Sequence, residues 1–185
     1  KSEGTRKIAD KPTRFHVENM PKGTFIVIPQ VSSQARRYIP MGFMDETTMC
    51  SDKVRLMPNA TLYHFGVLES NVHMAWMRAI CCRLKSDYSY TINDVYNNFP
   101  WCNPTEEQRQ KIETTAQAIL DARAKYPDCS LADLYDEVTM PIELRRAHQA
   151  NDRAVMAAYG FPTTMTESDC VARLLEMYQQ LTKKD

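Results

Sequence analysis

TFIVIPQVSSQARRYIPMGF, residues 24–43, opens on a β-branched apolar run closed by Pro29, crosses a polar turn, and enters a second run around Tyr38, Pro40 and Gly42. β-Branched and aromatic side chains suit a pleated, half-buried surface, so TFIVIP and RRYIPMGF are read as strands. Each proline lacks a ladder N–H, which puts it at a strand end, an edge or a bulge. The same pattern continues outward. KVRLMP (53–58) alternates charged and apolar residues, and TLYHFGVL (61–68) is aromatic-rich and continuous enough for a central strand. Turn chemistry separates the runs: SSQ at 32–34, MDETT at 44–48 and PNA at 58–60. An antiparallel or mixed sheet is expected.

Helical signals follow. Ser70 is placed to cap a helix reaching about Leu84, with Val72, Ala75, Trp76, Ala79 and Ile80 on the face that lies against the sheet. The pattern changes between Pro100 and Pro104. Asn103 and Glu106 have capping-box spacing, Pro104 suits a first helical position, and a stripe of Ile112, Ala116, Ile119 and Leu120 carries a helix to just before Pro127. Ser130 with Asp133 opens a short helix, LADLYD. A longer one runs from Pro141 to about Tyr159 and is ended by Gly160 and Pro162. Thr166 caps a last helix with Val171, Leu174, Leu175, Tyr178 and Leu181 on its stripe. The predicted fold class is α+β: an antiparallel or mixed β-sheet domain with a packed helix over residues 1–103, then a small C-terminal helical bundle over 104–185.

Composition narrows the function. With 185 residues, 43% hydrophobic and 25% charged, the chain is an ordinary globular protein able to bury one good core. No apolar run approaches the roughly 20 residues of a membrane span, so a soluble, cytoplasmic protein with no membrane partner is expected. The polar opening, KSEGTRKIADKP, reads as the start of an excised piece of something larger. Residues 1–103 carry 13 Lys and Arg against 9 Asp and Glu, a balance of +4, and residues 104–185 carry 10 against 14, a balance of −4. That asymmetry points to an N-terminal half facing a polyanion and a C-terminal half facing water or protein.

Catalytic constellations are not visible. Cysteines 50, 81, 82, 102, 129 and 170 have no C-x-x-C spacing and none sits at ligand spacing from a histidine, so packing thiols are expected and a metal is not. Histidines 16, 64, 73 and 148 form no pattern with a nucleophile. Glu113 and Asp121 are placed on a solvated helix. YNNFPW (96–101) has the residue types of a base-holding methyltransferase loop in the wrong order, and is read as a connector whose aromatics anchor the two modules.

Basic and amide residues on loops are the better lead. Ser32, Ser33, Gln34, Arg36 and Arg37 join two strands. Arginine can bind guanine O6/N7 with both arms, glutamine can do so with adenine, and serine or a second arginine can hold phosphate. Alternatively this is a solvated hairpin turn. Arg83, Lys85, Ser86 and Tyr88 interleave cations, hydroxyls and aromatics after a helix, which fits either phosphate clamping or burial of Tyr88 and Tyr90 with solvated charges.

The strings IPQVSSQARRYIPMGF, ATLYHFGVLESNVHMAWMR, RLKSDYSYTINDVYNNFPW, QAILDARAKYPDCSLADLYD and MPIELRRAHQANDRAV, in that order over residues 20–160, resemble the C-terminal region of MmeI-like (type IIL) restriction-modification proteins and related DNA methyltransferases. The resemblance implies a target-recognition domain and a helical bundle. It also implies a parent chain that carries an Asn-Pro-Pro-Tyr adenine-N6 methyltransferase using S-adenosylmethionine, and often a nuclease. Catalytic and cofactor residues would lie outside these residues, leaving no cofactor in this chain. The implied partners are double-stranded DNA and the methyltransferase domain of the same parent. By position, base reading would fall on Ser33, Gln34, Arg36 and Arg37 and on Glu69, Asn71 and His73, although Ser70 and Asn71 equally suit helix caps. Ser32, Arg83, Lys85, Ser86 and Tyr88 are the candidates for the DNA backbone. The alternative expectation is a protein-interaction module whose acidic bundle is the working surface.

Overall fold

A computed structural model describes residues 2–11, 13 and 20–183; His16 lies outside them. A short exposed helix, α1 (Glu3–Lys7), precedes the sheet region. β1 (Phe25–Pro29) lies between β3 (Gly42–Met44) and β4 (Val54–Pro58), antiparallel to both, with Val27 opposite Gly42 on one side and Leu56 on the other. Pro29 and Pro58 each end their strand. A second small sheet places β6 (Asp87–Ser89) between β2 (Val31–Ser32) and β5 (Cys82–Leu84), again antiparallel. Lys85, at φ 57°, supplies the left-handed turn between β5 and β6.

Two of the four strands expected from sequence are different objects. TLYHFGVL forms helix α2 (Leu62–Leu68), with Tyr63, Phe65, Gly66, Val67 and Leu68 all buried. A short helix enclosed on every side is apolar all round, so its periodicity cannot be told from that of a buried strand. Its start is set locally, where the Thr61 N–H donates to His64 Nδ1 at 3.1 Å. Gly66 sits where α2 crosses another helix; a Cβ there would meet Ile112 Cγ2 at 2.6 Å. RRYIPMGF contributes only Gly42 and Phe43 to a ladder, at the start of β3. Tyr38 and Ile39 are both buried, which alternation forbids, and the Met41 N–H donates to Glu69 Oε1 (2.8 Å) while its carbonyl accepts from Arg123 Nη1 (2.6 Å). Side chains do the work of a neighbouring strand.

α3 (Asn71–Ile80) begins where Ser70 Oγ accepts from the His73 N–H. It stops at Ile80 rather than near Leu84, because Cys82–Leu84 pair in β5. It is not a helix laid chiefly on the sheet: Val72 to Met77 are all buried, Ala79 is exposed, and its main neighbour is the last helix. A single π-turn (Ile92–Tyr96) follows. α4 (Glu106–Ala124) is capped by Thr105 rather than Asn103, with Thr105 N–H donating to Gln108 Oε1 (2.9 Å) and Gln108 N–H to Thr105 Oγ1 (3.2 Å). α5 (Leu131–Leu134) starts at Ser130 with Asp133 reciprocating, α6 is Ile142–Ala158, and α7 (Glu167–Thr182) is capped by Thr166. α4 packs on α6 within the second half, and helices of the two halves meet, α2 on α4 and α3 on α7, so one hydrophobic core extends from Ile26 to Leu174. The connector adds aromatic packing: Phe99 meets His73, Trp101 and Tyr159.

Candidate nucleic-acid interface

A cleft of about 500 Å³ gathers Gln34, Arg36, Arg37, Asn71, Arg78 and Tyr88, together with Glu137 and Glu167. Much of the predicted reading surface is therefore in one place. The Ser33–Arg36 turn closes on itself, the Arg36 N–H donating to the Ser33 carbonyl (3.1 Å) and the Ala35 N–H to Ser33 Oγ (3.2 Å). It is tied to the second sheet by the Gln34 N–H donating to Asp87 Oδ1 at 3.3 Å. Gln34 and Arg37 are exposed and Arg36 and Ser33 are half-buried.

The hairpin tip carries exposed Arg83, Lys85 and Ser86. Arg83 lies over the Tyr88 ring at 4.2 Å and donates from Nη1 to the Ser86 carbonyl at 3.1 Å. Tyr88 and Tyr90 are buried. Burial and solvated charge thus coexist here: the rings pack inward and the cations stand outside.

Three predicted contact residues face inward. Glu69 and His73 are 0% exposed and Ser32 is 2% exposed, so none offers an atom to a duplex in this structure. Glu69 is a structural residue: Oε1 accepts from the Met41 N–H and from Arg123 Nη2 (2.8 Å). Burial pushes its carboxyl above the ordinary range, and Arg123 pulls the other way. His73 Nε2 shares a hydrogen bond with the Tyr90 hydroxyl at 3.0 Å. Ser32 is enclosed where β2 pairs with β6. Glu69 and His73 flank the tight junction between α2 and α3, which packs into the core, and sequence position alone does not reveal that.

The structure adds residues that the sequence reading did not single out. Arg78 on α3 grips Glu167 through Nε (2.7 Å) and Nη2 (2.8 Å) and donates from Nη1 to the Arg37 carbonyl (3.2 Å). Beneath the loop, Arg37 Nε donates to the Tyr38 hydroxyl (3.2 Å), which donates to Asp152 Oδ2 (2.7 Å). The Tyr38 ring stacks on His148, centroids 4.1 Å apart. His148 in turn bonds the Tyr135 hydroxyl (2.7 Å), which accepts from Arg123 Nε (2.8 Å) and also meets Arg123 Nη2. A signal for these residues was present: Arg123 continues the stripe of Ile112, Ala116 and Ile119, and His148 stands between Leu144 and Val155 on another. A polar residue on an apolar stripe announces a buried partner.

His73 and His148 are held neutral. Burial lowers both to a pKa of about 3 from the ordinary 6.5, with the Arg123 charge adding to the effect at His148. Between those values the unfolded chain binds protons that the native chain does not. Each histidine therefore contributes stability that is complete above pH 6.5 and is lost on acidification, at about 1.4 kcal/mol per pH unit. Glu69 and Asp152, both raised by burial, oppose this slope. Ring NMR isolates the histidine part: from about pH 7.5 to about pH 5 the His73 and His148 rings are expected to keep neutral chemical shifts. A midpoint near 6 for either ring would contradict the buried geometry.

The description "MmeI, target recognition domain" matches residues 1–103 and "MmeI, C-terminal domain" matches residues 104–184. DNA methyltransferase A of Bacillus subtilis (strain 168) is 36% identical over 182 residues, which are 98% of this chain and 21% of that protein. A solved structure of the type IIL restriction-modification enzyme MmeI in complex with DNA matches with a TM-score of 0.93 at 43% identity, covering 98% of this chain and 24% of that one. The chain thus spans about a quarter or less of the length of these relatives. With both domain descriptions matched in order along a continuous fold, the chain belongs to the MmeI family, carrying its target recognition domain followed by its C-terminal domain.

Proposed function

We propose that this chain reads the target sequence of duplex DNA on behalf of an adenine-N6 methyltransferase, dependent on S-adenosylmethionine, formed by other parts of its parent protein. The observation that carries this reading is the Gln34–Arg37 turn beside a cleft lined by Asn71 and Arg78, in a chain 43% identical to the matching part of an enzyme solved with DNA. Gln34, Arg36 and Arg37 have the forked donors and the amide needed at guanine and adenine edges. Arg83, Lys85 and Ser86 at the hairpin tip suit phosphate, which fixes register without reading sequence. Catalysis and cofactor binding belong to the rest of the parent, and this chain supplies placement.

In the parent enzyme, Arg36→Ala or Arg37→Ala is expected to cost about 1–3 kcal/mol of site-specific binding and to relax discrimination at one base pair. Lys85→Ala should weaken cognate and altered duplexes alike and lower the salt dependence. Fluorescence anisotropy at fixed salt, on the cognate duplex and single-pair variants, separates the two patterns. Full methylation of the original site by both arginine variants would contradict the assignment. The isolated 185 residues are expected to bind weakly, since a duplex is ordinarily gripped from both sides.

A further inference from the structure

We propose that Asp152 is a positioning residue for base reading: one carboxylate on α6 holds the Gln34–Arg37 turn and the start of α3 at a fixed spacing. This rests on the reading above. Asp152 is 6% exposed, and its two oxygens serve different segments. Oδ2 accepts from the Tyr38 hydroxyl (2.7 Å), and Oδ1 accepts from the Asn71 backbone N–H (2.8 Å). Having given its single proton to Asp152, the Tyr38 oxygen has lone pairs left to accept from Arg37 Nε at 3.2 Å. The Asn71 contact places the carboxylate at the first turn of α3, where the unpaired N–H groups of a helix favour negative charge.

Arg37 is held a second time through its carbonyl, by Arg78, whose other arms are fixed on Glu167 of α7. A flexible arginine that must meet a base edge bidentately discriminates only if its fork is already aimed. The C-terminal domain thereby acts on specificity through a buried carboxylate. Tyr38→Phe isolates the link: the ring keeps its stack on His148 and loses only the hydroxyl relay.

The test uses the full-length parent methyltransferase, with kcat and KM measured on the cognate duplex and on duplexes altered at one base pair. Tyr38→Phe and Asp152→Ala are expected to raise the cognate KM by about tenfold and to shrink the cognate-to-altered ratio of kcat/KM by a similar factor, with kcat at saturating DNA within about twofold. Asp152→Asn, which keeps an oxygen for Asn71 but cannot accept from Tyr38 as well, should fall between wild type and Asp152→Ala. If Asp152→Ala fails to fold, Tyr38→Phe decides. A folded Tyr38→Phe enzyme with an unchanged discrimination ratio overturns the proposal. Where Arg37→Ala loses discrimination and Tyr38→Phe does not, positioning alone fails; where neither changes it, the base-reading role fails too.

Discussion

Arg123→Ala is expected to destabilise the protein by about 3–5 kcal/mol, because it strands the carboxylate of Glu69 in the core. Glu69 is 0% exposed and Arg123 is its charge partner at 2.8 Å. The same guanidinium donates to the Met41 carbonyl and the Tyr135 hydroxyl, so removing it also leaves the Met41 carbonyl, on the loop before β3, without that donor. Urea unfolding of wild type and variant measures the loss. Two controls fix the cause. The double replacement Glu69→Gln with Arg123→Met should recover much of the stability, since buried pairs replaced together are often nearly neutral. Arg145→Ala, which breaks a partly exposed bridge to Glu137, should cost about 0–1 kcal/mol. Equal losses for Arg123→Ala and Arg145→Ala would show that burial is not what makes the Glu69 pair matter.

Trp76→Ala should cost a similar amount, about 3–5 kcal/mol, by a different route. The indole is 1% exposed and is packed with Phe99 and Tyr178, and its Nε1 donates to the Val95 carbonyl at 2.9 Å. It therefore joins α3 to the π-turn and to α7. Trp76→Phe keeps much of the volume but leaves the Val95 carbonyl unpaired, for an expected loss of about 1–3 kcal/mol. Against the 5–15 kcal/mol typical of a whole domain, the alanine variant is expected to melt far below the phenylalanine one, as thermal unfolding followed by circular dichroism would record. Melting points that coincide would mean that the ring's packing adds nothing.

Much of the framework was legible from short-range chemistry. Ser70, Ser130 with Asp133, and Thr166 each accept from an N–H three residues on, and Pro29 ends a strand, because these devices act within one turn of chain. The exposed Gln34–Arg37 turn was legible for the same reason. TLYHFGVL was not: whether such a run becomes strand or helix depends on what encloses it, and here Gly66 admits Ile112 and Ala116 of α4 at a close helix crossing. RRYIPMGF is not a strand before Gly42 because Glu69 and Arg123, far along the chain, supply at Met41 the hydrogen bonds a neighbouring strand would have given.

The sequence by itself therefore determined the order of caps, turns and amphipathic stripes, the division of charge, and which loop carries forked cations. Only the tertiary structure decided that Glu69, His73 and Ser32 turn inward, and that Asp152, 114 residues from Tyr38 and 81 from Asn71, bonds both beneath the Gln34–Arg37 turn. The reason is that caps and turns are satisfied by neighbours in sequence, whereas a buried charge or hydroxyl is satisfied by whatever the packed core brings within about 3 Å, and that partner has no fixed spacing along the chain.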